Sequence, residues 1–144
     1  MALFAAGLVL SGCSGAVAVP EPSPDAVGRP VCADVMVNLP ATVLEGTRRT
    51  TTKPELTAAW GDPPITLRCG VPAPPGLTAS SECLEVNGVG WYAEPAEGGM
   101  LYTTIGRAVF VEVGVPTRYA PEAGALVDLA AVVKDRNPTR QPCQ

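Results

Sequence analysis

Sixteen prolines and fifteen glycines punctuate this chain of 144 residues, and no other feature limits its fold as strongly. Proline removes a backbone donor and ends helices, and glycine weakens helix and strand interiors alike. The chain must turn often and build short elements. It is still a folding chain. With 47% of its residues hydrophobic and 17% charged, it has enough apolar surface to bury a core. The length fits one domain.

Two exclusions follow from the side chains. The formal net charge is -4, which argues against a nucleic-acid partner, because such a face needs clustered Lys and Arg. The sequence contains no His. Imidazole bases, His-based triads and His-containing metal sites are thereby removed. The sequence indicates no cofactor and no metal.

Residues 2–10 read ALFAAGLVL. A bilayer takes about 20 apolar residues, so this run has the length of a signal-peptide core instead. It leads into Leu10-Ser11-Gly12-Cys13, which resembles the bacterial lipobox. That resemblance implies a signal peptide over residues 1–12, lipidation of Cys13, and a chain held at the outer face of the cytoplasmic membrane. A signal also needs a basic start, yet the first Lys or Arg is Arg29. The expectation is a native start upstream of Met1; the alternative is a short transmembrane anchor that begins upstream. Residues 13–30 carry Pro20, Pro22, Pro24 and Pro30. Alternating proline favours extended polyproline II, and residues 14–30 would reach roughly 50 Å. They read as a free tether with no packed element, leaving residues 31–144 as the domain.

Beyond Cys13 stand Cys32, Cys69, Cys83 and Cys143. An even number in an exported chain reads as two disulfides among three connectivities. The absence of any C-x-x-C pair removes thioredoxin-type and zinc-ribbon readings. The favoured pairs are Cys69–Cys83, closing a proline-rich loop, and Cys32–Cys143, joining the ends of the domain.

The pattern predicts a short helix over residues 31–39, between Pro30 and Pro40. Residues 45–53 are polar, and residues 56–60 form a strand or a single turn. Ile65, Leu67, Cys69 and Val71 alternate with Thr66, Arg68 and Gly70, as in a half-buried strand. Asn87-Gly88 between two apolar runs is a type I′ hairpin signal. Residues 100–105 and 109–115 give two more strands. Leu126, Leu129, Ala130 and Val133 fall at i, i+3, i+4 and i+7 within a helix over residues 121–135. The expected fold is α+β: an antiparallel meander of about five strands, covered by an N-terminal and a C-terminal helix.

Ala58-Ala59-Trp60-Gly61, Pro64-Ile65-Thr66-Leu67-Arg68-Cys69-Gly70-Val71-Pro72, Gly88-Val89-Gly90-Trp91, Thr103-Thr104-Ile105-Gly106-Arg107 and Val115-Pro116 together resemble an actinobacterial exported family, domain-of-unknown-function family 3515. The resemblance covers about residues 31–143. It implies an envelope protein with two extracytoplasmic Cys pairs, and it implies no reaction and no catalytic residue.

Read for chemistry, the residues offer little. A Ser nucleophile would need Lys53 or Lys134 as its base. Glu82 with Glu85, and Glu94 with Glu97, flank turns and read as solvated charge rather than an acid/base pair. Trp60, Trp91 and Tyr92 read as core or sheet-face packing. Arg68, Thr103, Thr104 and Arg107 are the candidate ligand-binding residues, because two guanidiniums beside hydroxyls suit a planar carboxylate. The expectation is a non-catalytic envelope lipoprotein that binds a protein or cell-wall component. The alternative is a small envelope enzyme working through carboxylates and Arg.

Overall fold

The computed structural model describes residues 15–143; the signal segment and Cys13 lie outside them. Two helices, α1 (Gly28–Val37) and α2 (Gly124–Arg136), accompany eight strands. These are β1 (Thr42–Val43), β2 (Gly46–Arg49), β3 (Thr57–Trp60), β4 (Ile65–Val71), β5 (Leu84–Val86), β6 (Val89–Ala96), β7 (Gly99–Thr104) and β8 (Phe110–Pro116). All strand pairs are antiparallel, in the order β1-β2-β3-β4-β8-β7-β6-β5. The class is α+β, as expected.

The strand count and connectivity are not those expected. The sheet consists of two four-strand meanders, β1 to β4 and β5 to β8, joined by the β4–β8 pair. The extra strands are β1 and β2, which turn at Leu44 and Glu45 with φ of 46° and 64°. A left-handed turn made without Gly or Asn leaves no composition signal. Because β8, β7 and β6 lie between β4 and β5, the connection through residues 72–83 must cross the sheet.

Alternation sorts each strand into two faces. Ile65, Leu67 and Cys69 of β4 and Val111 and Val113 of β8 are fully buried. They join Trp60, Trp91, Cys32 and Val35 of α1, and Leu126, Leu129 and Val133 of α2, in one core. Fully burying a Leu or Val side chain contributes about 1.5–3 kcal/mol, so this face holds the helices to the sheet. The α2 stripe is as predicted, although the helix begins at Gly124 and Pro121 lies ahead of it. Helix α1 begins about a turn earlier than predicted. The Asp25 carboxylate accepts hydrogen bonds from the backbone N–H groups of Val27 and Gly28 at 3.1 and 2.7 Å, satisfying donors at the helix start.

Both favoured disulfides are corrected. The bonds are Cys32–Cys69 and Cys83–Cys143, with Cα separations of 5.5 and 5.9 Å. Cys69 lies on the core face of β4, where α1 brings Cys32. The chain leading to Cys83 crosses the opposite face, so Cys69 and Cys83 are on different sides of the sheet. Cys83, just before β5, meets the C-terminal tail. That tail returns along residues 105–107, with Arg140 and Gln141 donating to the Gly106 carbonyl at 2.7 and 2.9 Å. Gly90 is required beneath this bond: a Cβ there would collide with the sulfurs of Cys143 and Cys83.

The segment read as a free tether is packed. Val17 N–H donates to the Thr50 carbonyl at 2.9 Å, and Thr52 N–H donates to the Val17 carbonyl at 3.0 Å. Val19 and Pro22 are buried, and Pro24 rests on Gly70, where φ is +91° and a Cβ would lie 2.6 Å from the proline ring. Proline does keep this stretch extended. An extended segment with apolar side chains can still seat on a sheet, and this one does.

Candidate functional site

The sheet face turned away from the helices carries the polar residues. Register aligns Thr57, Arg68, Glu112, Thr103 and Tyr92 in one row across β3, β4, β8, β7 and β6. Arg68 and Glu112 form a two-point pair, Nε to Oε1 at 2.8 Å and Nη2 to Oε2 at 3.0 Å. Thr57 is held by the Thr51 hydroxyl at 2.8 Å, which fixes the β3 end of the row. At the other end the Tyr92 hydroxyl lies against Gly76 in the crossing loop.

Beneath that loop is a groove of about 160 Å³, lined by Arg68, Thr103, Glu112, Glu94 and residues 71–75. Its chemistry is an acid-rich cleft beside an already paired guanidinium. The next row on the same face, Thr66, Gly114 and Leu101, floors a second hollow of about 180 Å³ reaching Pro64 and Pro116. A cleft of about 490 Å³ opens between Pro24 and Phe110, and its one charged lining residue is Asp25, whose carboxylate is engaged at the start of α1.

The four candidate binding residues do not share one site. Arg68 and Thr103 meet in the groove. Thr104 projects to the other face of β7 and is fully buried. Its hydroxyl donates to the Val109 carbonyl at 3.3 Å and accepts from Val111 N–H at 2.9 Å. Arg107 donates to the carbonyls of Lys134, Asn137 and Gly88 at 3.3, 3.0 and 2.9 Å. A cation on the last carbonyls of α2 complements the helix dipole. Burial draws the Arg107 guanidinium below its usual range. The spacing Thr-Thr-Ile-Gly-Arg suggested a single cluster, but strand alternation separates Thr103 from Thr104, and the turn at Gly106 sends Arg107 toward α2.

Trp60 and Trp91 are core residues. Trp60 Nε1 donates to the Pro40 carbonyl at 3.0 Å, and the Arg48 guanidinium lies 5.1 Å from its ring centre. Sequence reasoning missed Glu112 as the partner of Arg68, for want of any signal linking residues 44 apart. It also missed Asn137, which is fully buried and binds Val109 through both ends of its amide. Among the described residues no three Cys, Asp or Glu converge as a metal site would require, and no helix is long and apolar enough to cross a membrane.

The family model "Protein of unknown function (DUF3515)" matches residues 2–142. No curated protein and no solved structure matches the chain.

Proposed function

The chain belongs to the DUF3515 family of proteins of unknown function, and from that premise we propose an exported, membrane-anchored domain that binds a protein or cell-wall component and catalyses no reaction. One observation carries the reading: all four cysteines beyond Cys13 are paired in two disulfides. Such bonds persist in oxidising compartments and are rare where thiols are kept reduced. The apolar run ending at Cys13 supplies a route to that compartment and a place to anchor.

The geometry favours binding over catalysis. The groove that brings Arg68, Glu94 and Glu112 together measures about 160 Å³, below the usual small-molecule range of about 300 to 1,000 Å³, and the cleft of about 490 Å³ that does fall in that range has Asp25 as its one charged lining residue. Arg68 is already engaged by Glu112 through two N–H groups, Nε and Nη2, along one edge of its guanidinium. The part of this face that the crossing loop leaves open, floored by Thr66, Leu101 and Gly114 between Pro64 and Pro116, offers a shallow surface suited to a macromolecular partner.

The anchor is tested by Cys13→Ala. The variant should leave the membrane fraction or accumulate unprocessed, and the wild-type protein should carry acyl mass. One acyl chain binds a bilayer only marginally, so more than one is expected. Unchanged mass and unchanged fractionation in the variant would overturn lipidation at Cys13.

A further inference from the structure

We infer that the domain stands on the bilayer on its β1–β2 edge, with Arg48, Arg49 and Lys53 against anionic phospholipid headgroups and the β5–β6 edge turned away. This rests on the anchor proposed above. It adds an orientation and a contact surface that the anchor alone does not give.

The packed chain begins at this edge. Val17 is fixed beside Thr51 by two backbone hydrogen bonds. Gly15 shares a cleft with Thr47, Arg48, Arg49, Thr50 and Asp62. Cys13 is two residues upstream of Gly15, a reach of at most about 7 Å. An anchor at Cys13, or a membrane segment ending near it, therefore sets this edge down rather than holding the domain some 50 Å away.

The two edges also differ in charge. Arg48 and Lys53 are exposed and Arg49 is half-buried, with no acid between residues 46 and 54. Glu45, Glu55 and Asp62 flank the edge, and Asp62 lies 3.7 Å from Arg49, so the edge is balanced. The far edge is acidic. Glu82, Glu85, Glu94 and Glu97 lie between residues 69 and 106, a stretch without Lys or Arg. Two cations approach that edge from outside the stretch, Lys134 beside Gly88 and Arg107 on the Gly88 carbonyl. Six strand spacings separate β2 from β5, roughly 29 Å at ~4.8 Å each. That exceeds the physiological Debye length of about 8 Å several times over. An anionic surface therefore meets a balanced edge, on which Arg48 and Lys53 are exposed, and leaves the edge with an excess of acid outside its field.

The chain has two lysines, Lys53 at the β2 end and Lys134 near the far edge. They report the two edges directly. Full-length protein purified from membranes would be placed in nanodiscs of phosphatidylcholine alone, or of phosphatidylcholine with phosphatidylglycerol. A water-soluble amine acetylating reagent would then be read at each lysine by mass spectrometry. Lys53 should react roughly fivefold more slowly on the anionic discs, the change expected of one cation at such a surface. Lys134 should not change, and about 1 M salt, where the Debye length is near 3 Å, should abolish the difference. Equal Lys53 rates on both discs, or slowing at Lys134 instead, overturns the orientation while leaving the anchor intact. A chain that no disc retains overturns the anchor and the orientation with it.

Discussion

Replacing Cys32 and Cys69 together by Ala lowers the unfolding free energy by about 4 kcal/mol, the chain-entropy value for a loop of this length. The cross-link spans 37 residues. Both cysteines are fully buried between α1 and β4, so the bond forms inside the core. Domains of this kind hold about 5–15 kcal/mol in all, so a loss of that size removes between about a quarter and four fifths of the total. Urea unfolding of the wild type and the double variant checks it. A midpoint that does not move would show that α1 is held by packing alone and that the bond adds nothing.

Asn137→Ala is expected to cost about 2–3 kcal/mol, the penalty for buried polar groups left without partners. The side-chain oxygen of Asn137 accepts from Val109 N–H at 3.1 Å, and its amide donates to the Val109 carbonyl at 2.9 Å. Val109 precedes β8 and is itself buried. The carbonyl keeps a second donor in the Thr104 hydroxyl; the N–H has no such substitute among the described hydrogen bonds. Arg107→Lys is a milder companion. It removes a fork that reaches the C-terminal carbonyls of α2 and the Gly88 carbonyl, at a cost of about 1–2 kcal/mol. Thermal and urea unfolding of both variants gives the order. An Asn137→Ala midpoint indistinguishable from wild type would mean that the amide bonds are not formed in solution.

How far the sequence reveals this fold depends on whether the determining interaction is local. Strand β4 was legible because Ile65, Leu67, Cys69 and Val71 alternate, and all four are buried. The Asn87-Gly88 hairpin was legible because both residues take positive φ, 48° and 83°, as that pair does cheaply. The buried stripe of α2 was legible from its period. Strands β1 and β2 were not, since Leu44 and Glu45 adopt left-handed conformations that their side chains do not advertise. The β4–β8 pairing was not, since nothing near Ile65 or Phe110 names a partner about 45 residues away.

The disulfides illustrate the same limit. Four cysteines gave the number of bonds, and sequence proximity gave the wrong partners. Alternation had already placed Cys69 on the apolar side of β4, while the loop to Cys83 crosses the other side. Excluding Cys69–Cys83 also needs the side of that crossing, which depends on the strand order. The candidate binding residues were half legible. Register joins Arg68 to Thr103, whereas the roles of Thr104 and Arg107 depend on Val109, Asn137 and the end of α2, which meet only in three dimensions.

Non-reducing peptide mapping of protein taken from the membrane fraction tests the proposed exported domain and its two bonds most directly. It should recover the Cys32 peptide linked to the Cys69 peptide and the Cys83 peptide linked to the Cys143 peptide, with no free thiol at these positions. A Cys69–Cys83 or Cys32–Cys143 peptide, or free thiols at all four cysteines, would contradict it.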